Sequence, residues 1–153
     1  MHPGNHFQIQ GGFKGQRNRV IDVMTFCTDE LLPLHRTLDI DVQLSPLERN
    51  CNAMGQCLHV QGNEFQIEID SMQKLYDLIL TVCHEMVHVN QYARKHLVED
   101  FPKSYWHGEC HSDARCYPWE IEAWKLQKPL AHSYIKQAFT TPIKVLKTLD
   151  KRS

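Results

Sequence analysis

The chain has 153 residues, of which 42% are hydrophobic and 23% are charged, and its formal net charge is −1 at pH 7. A chain of this length and ordinary globular composition can bury one core but not two. The near-neutral balance, with no basic stripe, gives no indication of strong electrostatic attraction to nucleic acid. The sequence shows no signal-peptide pattern and no apolar run of about 18 residues that could span a membrane. We therefore expect a cytoplasmic protein with one domain.

The six cysteines are predicted to be reduced thiols, because no export pattern accompanies them. Two pairs share one spacing, Cys51 with Cys57 and Cys110 with Cys116. Neither pair matches the C-x₂-C spacing of a zinc ribbon, so the cysteines give little support for a second, structural zinc site at Cys110, His111 and Cys116.

The N-terminal half is predicted to contain a leader, one helix and three strands. Residues 1–19 are rich in Gly, Gln and Asn, so we expect a loose leader followed by a single domain at 20–153. Apolar spacing predicts a first helix over 20–34, ending near Pro33. Alternation of apolar and polar residues predicts strands at 38–44, 57–60 and 65–70.

A long amphipathic helix is predicted to follow the third strand. Asp70 and Ser71 offer its N-cap, and Phe101-Pro102 ends it at the latest. Its apolar stripe has spacings of three and four and consists of Met72, Leu75, Leu78, Ile79, Val82, Met86 and Val89. Beyond it, 103–117 is expected to be irregular, Pro118 to begin a helix reaching Leu126, and 133–149 to be a last amphipathic segment interrupted by Pro142.

His84, Glu85 and His88 form the motif H-E-x-x-H on the long helix. Residues four apart on an α-helix lie one above the other, so both imidazoles project from the same face. Two neutral imidazoles in that arrangement can share one Zn²⁺, and the glutamate between them can act as general base on a water molecule at the metal. The motif lies off the apolar stripe, as a metal site on a helix requires.

A catalytic zinc needs a third protein ligand besides water. The metzincin extension H-E-x-x-H-x-x-G-x-x-H is excluded, because Gln91 occupies the glycine position and Arg94 that of the third histidine. The remaining candidates are His107, His111 and Asp113 in the following loop, and Glu120 and Glu122 on the next helix. The two glutamates point about 200° apart on a helix, so only one of them can bind the metal directly.

The residues around this motif resemble a known family. The run His-Glu-Met-Val-His-Val-Asn-Gln-Tyr-Ala-Arg at 84–94, followed by Tyr-Pro-Trp-Glu-Ile-Glu-Ala at 117–123, resembles the small SprT-like or minigluzincin metallopeptidases of bacteriophage and bacterial genomes. The resemblance covers 38–126. Related gluzincins carry E-x-x-A after the H-E-x-x-H helix, with its glutamate as third ligand, and this pattern falls on Glu120 and Ala123. The resemblance implies a Zn²⁺ site of His84, His88 and Glu120.

The resemblance also implies a fold and an activity. The fold is an α+β, small zincin (minigluzincin-like) domain with an N-terminal helix, a sheet of about three strands, the H-E-x-x-H helix and C-terminal helices. The activity is zinc-dependent hydrolysis of peptide bonds in a peptide or protein substrate, with Glu85 activating the water. The location is the host cytoplasm if the chain is phage-encoded. We expect strand 65–70 to be the sheet edge to which an extended substrate adds.

A competing hypothesis is a non-catalytic protein in which zinc stabilises a binding, regulatory or phage structural domain. A binder does not need a general base, so the presence of Glu85 between the two histidines favours catalysis.

Supporting roles are expected for further side chains. A hydrogen bond to the tetrahedral intermediate is expected from one of four side chains: Tyr105, His107, His111 or Tyr117. The remaining expectations are ligand support from Asn90, Gln91 and Glu122, and packing by Cys83, Trp119 and Trp124.

Overall fold

The computed structural model describes residues 4–47, 54–111 and 117–139. These residues form an α+β fold with three helices and two sheets, so the predicted fold class is confirmed at that level. The elements in chain order are β1 (His6–Gly11), α1 (Lys14–Leu31), β2 (Asp39–Ser45), β3 (Gly55–Gln61), β4 (Glu64–Asp70), α2 (Leu75–Ala93), β5 (Leu97–Asp100), β6 (Lys103–Trp106), β7 (Glu109–Cys110) and α3 (Pro118–Ala138).

The larger sheet has the strand order β1-β2-β4-β3. Strands β1, β2 and β4 are parallel, whereas β3 is antiparallel to β4. The alternation in β2 determines which face is buried: Ile40 and Val42 are at most 2% exposed, while Asp39 and Asp41 face solvent. Burying each such aliphatic side chain contributes about 1.5–3 kcal/mol, so a one-residue shift in register would be strongly unfavourable.

Two expectations about this sheet are wrong. The leader expected at 1–19 contains strand β1 and the start of α1, and His6 pairs with Asp39 in register. The strand expected at the sheet edge, 65–70, corresponds to β4, which lies between β2 and β3. The edge strand beside it is therefore β3, and its outer side has no strand partner among the described residues.

Helix α2 crosses the core and carries the H-E-x-x-H motif. Its residues Ile79, Val82 and Met86 are buried, as predicted, and Cys83 is a buried core residue. The predicted start is wrong, because the helix begins at Leu75 and Met72 is exposed. Asp70 does not cap the helix, since its carboxylate accepts a hydrogen bond from the backbone N–H of Met72 in the preceding turn.

The C-terminal part differs from prediction in three respects. Strands β6 and β7 lie within the segment 103–117 that was expected to be irregular, and they form a three-stranded sheet with β5. Helix α3 is continuous to Ala138 through Pro129, so the two predicted segments are one helix as far as it is described. Residues 140–149, with Pro142, lie outside the described residues. Trp119 packs against the core, but Trp124 is 56% exposed and is no packing anchor. None of the described helices is long and apolar enough to cross a membrane.

Candidate metal centre

Helix α2 positions both motif histidines toward one point. His84 and His88 are four residues apart, and their ring centroids are 4.9 Å from each other. The helix supplies the rigidity for this arrangement, because its opposite side is fixed in the core by residues such as Ile79 and Met86. Both rings are largely buried, with side-chain exposures of 14% and 10%. The helix therefore holds the two imidazoles in fixed positions with only a small part of each exposed to solvent.

Helix α3 supplies a carboxylate to the same point. Pro118 occupies the start of α3, and Glu120 lies in its first turn. One Glu120 oxygen is 3.5 Å from His84 Nε2, and the other is 2.5 Å from His88 Nε2. The three possible ligand atoms all lie within 4.8 Å of one another, so the cluster could hold a metal ion. Two imidazoles and one carboxylate are a donor set that Zn²⁺ accepts.

The second nitrogen of each imidazole is held by a glutamine. His84 Nδ1 donates to Gln127 Oε1 at 2.8 Å, and His88 Nδ1 donates to Gln91 Oε1 at 2.8 Å. An amide oxygen only accepts hydrogen bonds, so both protons reside on Nδ1 in the neutral rings. The lone pair on each Nε2 is then available to a metal. Such outer partners fix the tautomer and orientation of a ligand histidine.

Gln91 connects helix α2 to the beginning of α3. Its side chain is completely buried and donates to the Trp119 carbonyl at 2.9 Å and to Glu122 Oε1 at 3.1 Å. Glu122 therefore touches Gln91 and reaches His88 only through it. The expected support of the ligands by Gln91 is present, whereas Asn90 accepts from the Arg94 guanidinium instead.

The charged groups of the site shift one another's pKa values in the metal-free protein. Burial lowers the pKa of both histidines, but the hydrogen bonds to Glu120 and the charge of Glu85 together outweigh it and raise the pKa of each above its ordinary value. The hydrogen bonds from His84 and His88 hold the pKa of Glu120 well below its usual range. Burial raises the pKa of Glu85, although both histidines oppose that shift.

Glu85 lies beside the cluster without belonging to it. Its side chain is only 4% exposed, yet it has no hydrogen bond or ion pair with any described residue. Its oxygens are not among the buried unpaired atoms, since they open onto cavities next to the histidines. Buried carboxylates with a purely structural role are paired. Glu85 therefore differs from a paired structural carboxylate, since it faces the two cavities without a partner among the described residues.

Two cavities flank the cluster along the edge strand β3. One has a volume of about 310 Å³ and reaches Trp124 on α3, while the other has a volume of about 240 Å³ and reaches Leu97 on β5. Both are lined by Gly55, His84 and Glu85. The possible metal-binding cluster of His84, His88 and Glu120 thus lies beside both cavities.

Gly55 allows β3 to approach helix α2 this closely. A Cβ atom at this position would lie 2.7 Å from Thr81 Cγ2 and 3.2 Å from Glu85 Oε2. The first distance is shorter than carbon atoms tolerate, so the Thr81 side chain or strand β3 would have to shift to admit any side chain here. Glycine therefore determines the width of the cleft at Glu85.

The alternative ligands and donors lie elsewhere. His107 is exposed and stacks on His96, and the His111 ring packs against Trp119. Neither joins a metal cluster among the described residues. Tyr105 and Tyr117 line neither cavity. Asp113, Cys51 and Cys116 lie outside the described residues, so the second zinc site considered for Cys110 and His111 remains a prediction.

Three residues of the site were not predicted from the sequence. Gln127 contacts His84, and Gly55 lies beside Glu85. Both are too far from these residues in the sequence for a local pattern to predict the contacts. Tyr92 lines the smaller cavity and donates its hydroxyl hydrogen to Glu99 at 2.7 Å. Burial, together with this bond to Glu99, raises the pKa of Tyr92 well above its ordinary value, so the hydroxyl stays protonated. Its position one turn after His88 is the only sequence feature that could have indicated it.

We expect metal affinity to fall steeply as the pH is lowered. Metal binds neutral imidazoles, so below the raised pKa values of His84 and His88 it must displace a proton from each. Glu120 stays ionised, since its pKa is lowered. Affinity should then change about 100-fold per pH unit in this range, the limit for two displaced protons. Competition with a chromophoric chelator between pH 5 and 8 measures it.

The stability of the metal-free protein should also depend on pH, through two contributions of opposite sign. The raised histidine pKa values stabilise the fold below the unfolded value of about 6.5, and this contribution disappears as the pH rises through the folded values. The lowered pKa of Glu120 stabilises the fold above about pH 4.5, and this contribution is lost in acid.

Metal affinity that does not vary with pH would contradict ligation by the two histidines.

Comparison with known proteins gives no family assignment. No protein-family model, no curated protein and no solved structure matches this chain. The chemistry of the site therefore has to be argued from its own residues.

Proposed function

We propose that this protein is a zinc-dependent metallopeptidase of the SprT-like or minigluzincin type. The observation that carries the proposal is Glu85, a buried carboxylate without a hydrogen-bond partner among the described residues, which opens onto the cleft beside a possible metal cluster. A site that only held a metal for stability would have no use for such a group. A hydrolase needs it as a general base.

The donor set favours zinc in a catalytic arrangement. His84, His88 and Glu120 provide three ligands, and a His₂Glu set with an open fourth position is characteristic of catalytic zinc sites. A structural site would be closed by a fourth protein ligand, and the cluster contains none among the described residues. The cavities beside it leave the fourth position accessible to water and substrate.

Each group of the site then has its own role in peptide-bond hydrolysis. Bound zinc supplies Lewis acidity, which activates a water molecule and polarises the substrate carbonyl. Glu85 accepts the proton of the attacking water and delivers it to the leaving amine. Burial already raises the pKa of Glu85, which makes it a better proton acceptor than an exposed glutamate. Gln91 and Gln127 keep the histidines oriented while this proton moves.

The edge strand β3 provides a place for the substrate backbone. Its inner side pairs with β4, and its outer N–H and C=O groups have no strand partner among the described residues. An extended peptide can add to such an edge by backbone hydrogen bonds. Gly55 and Cys57 on β3 line the cleft, so a peptide on this strand would pass the metal cluster. We therefore assign to β3 the role that we expected for strand 65–70.

Metal content and hydrolysis test the proposal together. The purified protein should bind one zinc per chain and cleave an unfolded protein substrate such as reduced, alkylated albumin. A chelator should abolish cleavage, and added zinc should restore it. Stoichiometric zinc without cleavage of unfolded protein would instead support the zinc-stabilised binding or structural protein.

We expect Gly55→Ala to reduce hydrolysis without loss of zinc. The added methyl group overlaps Thr81 Cγ2 and lies close to Glu85 Oε2, so Thr81, Glu85 or strand β3 must shift. Displacement of about 1 Å in a catalytic constellation costs about 100-fold in rate. Steady-state kcat/KM and zinc content measure the two effects. The double variant Gly55→Ala/Thr81→Ser, which removes the nearest methyl group, should recover part of the activity. Full activity of the single variant would contradict this account.

A further inference from the structure

We propose that the cavity of about 310 Å³ beside the metal centre receives a positively charged side chain of the substrate, an arginine or lysine. The inference rests on the proposed function, since it names the peptides that the cleft would accept. It is carried by the composition of the cavity wall, which combines apolar surface with two carboxylates, Asp77 and Glu85, that have no hydrogen-bond or ion-pair partner among the described residues.

Apolar side chains form one part of the wall. Trp124 is 56% exposed and Met54 is 40% exposed, and both line the cavity together with Leu80. Trp124 faces the cavity from α3, while Leu80 belongs to α2. A large aromatic side chain this exposed beside a concave site is a typical recognition surface. It can cover the aliphatic part of a long side chain and attract a cation to its π face.

Asp77 is the carboxylate that remains uncommitted. It lies in the first turn of α2, where the helix dipole favours negative charge, and it has no hydrogen bond or ion pair with any described residue. The polar neighbours are occupied: Thr81 donates to Gln73, and Gln127 accepts from His84. Among the described residues, no lysine or arginine lines this cavity.

These features together favour a positively charged substrate side chain in the cavity. A lysine or arginine can lay its methylene groups against Met54 and Leu80, place its cation near Trp124, and pair with Asp77. An acidic side chain would be repelled by Asp77 and Glu85 together. Asp77 is exposed, and an apolar side chain would gain the same wall contacts without any attraction to its charge.

The second cavity does not share this property. Among its carboxylates, Glu99 accepts a hydrogen bond from the Tyr92 hydroxyl, and Glu120 contacts the two motif histidines. Glu85 lines both cavities and therefore does not distinguish them, whereas Asp77 lines only the larger one. The remainder of its wall includes Cys57, Leu97 and Trp119. Charge selection therefore belongs to the cavity between Asp77 and Trp124, and the substrate position that enters it should be basic.

Peptide binding tests the inference separately from turnover. The probe is a set of alanine octapeptides in which one arginine moves through the eight positions, compared with citrulline, which has the same shape without the charge. The zinc-loaded Glu85→Gln protein binds peptides without cleaving them, and calorimetry at low salt gives the affinities. At the best position, arginine should bind about 3- to 10-fold tighter than citrulline.

The variants assign this preference to one carboxylate. In the Glu85→Gln background, Asp77→Asn should remove most of the difference between arginine and citrulline. Asp41→Asn is the matched control, because it removes the same charge from the outer face of the sheet. Equal affinities for the two peptides, a preference that survives Asp77→Asn, or no peptide binding would each overturn the inference. Failure of the zinc-loaded wild type to cleave any unfolded protein would overturn the proposed function instead, with the binding comparison still valid.

Discussion

The Glu85→Gln variant is expected to bind zinc as the wild type does and to lose about 10²- to 10⁴-fold in kcat/KM. Glutamine has nearly the shape of glutamate, so the helix and both ligand histidines stay in place. It cannot accept the proton of the attacking water, which is the step that we assign to this residue. Zinc content by elemental analysis and cleavage of an unfolded protein measure the two outcomes.

Stability provides an additional readout for the same variant. Because burial raises the pKa of Glu85, the ionised carboxylate weakens the fold at pH 7 unless a metal compensates it. The metal-free Glu85→Gln protein should therefore unfold at a temperature equal to or above that of the metal-free wild type. Glu64→Gln, on the solvent-facing side of β4, is the control and should leave both zinc content and rate unchanged. Unchanged cleavage by Glu85→Gln would exclude the enzyme hypothesis.

The parts of the fold that could be predicted have strong local patterns. The alternating strands at 38–44 and 65–70 and the helix through His84 and His88 each show a periodicity that one buried face requires. The motif spacing alone predicts that both imidazoles lie on one helical face, and the structure has them there. The E-x-x-A pattern placed Glu120 next to them, and the structure brings the three side chains together.

The parts that could not be predicted depend on long-range pairing. The segment His6–Gly11 has only two apolar residues, Phe7 and Ile9, among Gly-, Gln- and Asn-rich sequence, and it becomes a strand because β2, more than thirty residues later, offers it an edge. Strands β6 and β7 are shorter still and are stabilised mainly by pairing with their neighbours. The start of α2 was misplaced because Asp70 is a good N-cap residue by type, yet its carboxylate bonds the preceding turn.

The same reasoning explains which site residues were missed. Gln127 contacts His84 from 43 residues away, and nothing in its surroundings distinguishes it from a solvent-facing glutamine on α3. Gly55 matters through the space that it leaves, which becomes visible only when β3 lies against α2. Sequence motifs therefore identify the groups that would bind the metal, whereas the groups that orient them and shape the cleft require the packed structure.

The Glu120→Ala variant should lose zinc affinity by more than the approximately 10- to 100-fold that loss of an outer partner causes, because a direct ligand disappears. Competition with a chromophoric chelator measures the zinc affinity. The rate of cleavage by the variant should also be lower than that of the zinc-loaded wild type. Glu122→Gln is the matched control, since Glu122 touches only Gln91 among the groups of the site. Its effect should stay within the outer-partner range. If Glu120→Ala binds zinc as tightly as the wild type, Glu120 is not a ligand and the assignment of the site to His84, His88 and Glu120 is wrong.

The pH dependence of the Glu120→Ala variant separates loss of a ligand from loss of the fold. In the wild type, the hydrogen bonds to Glu120 help raise the pKa of His84 and His88 against the effect of burial. Without Glu120, burial should prevail in large part, and both histidines should become neutral at lower pH. The residual metal binding of a folded variant should therefore remain measurable at lower pH than in the wild type, relative to its own maximum. A variant that merely unfolds would show no such shift, and its far-ultraviolet circular dichroism would change with it.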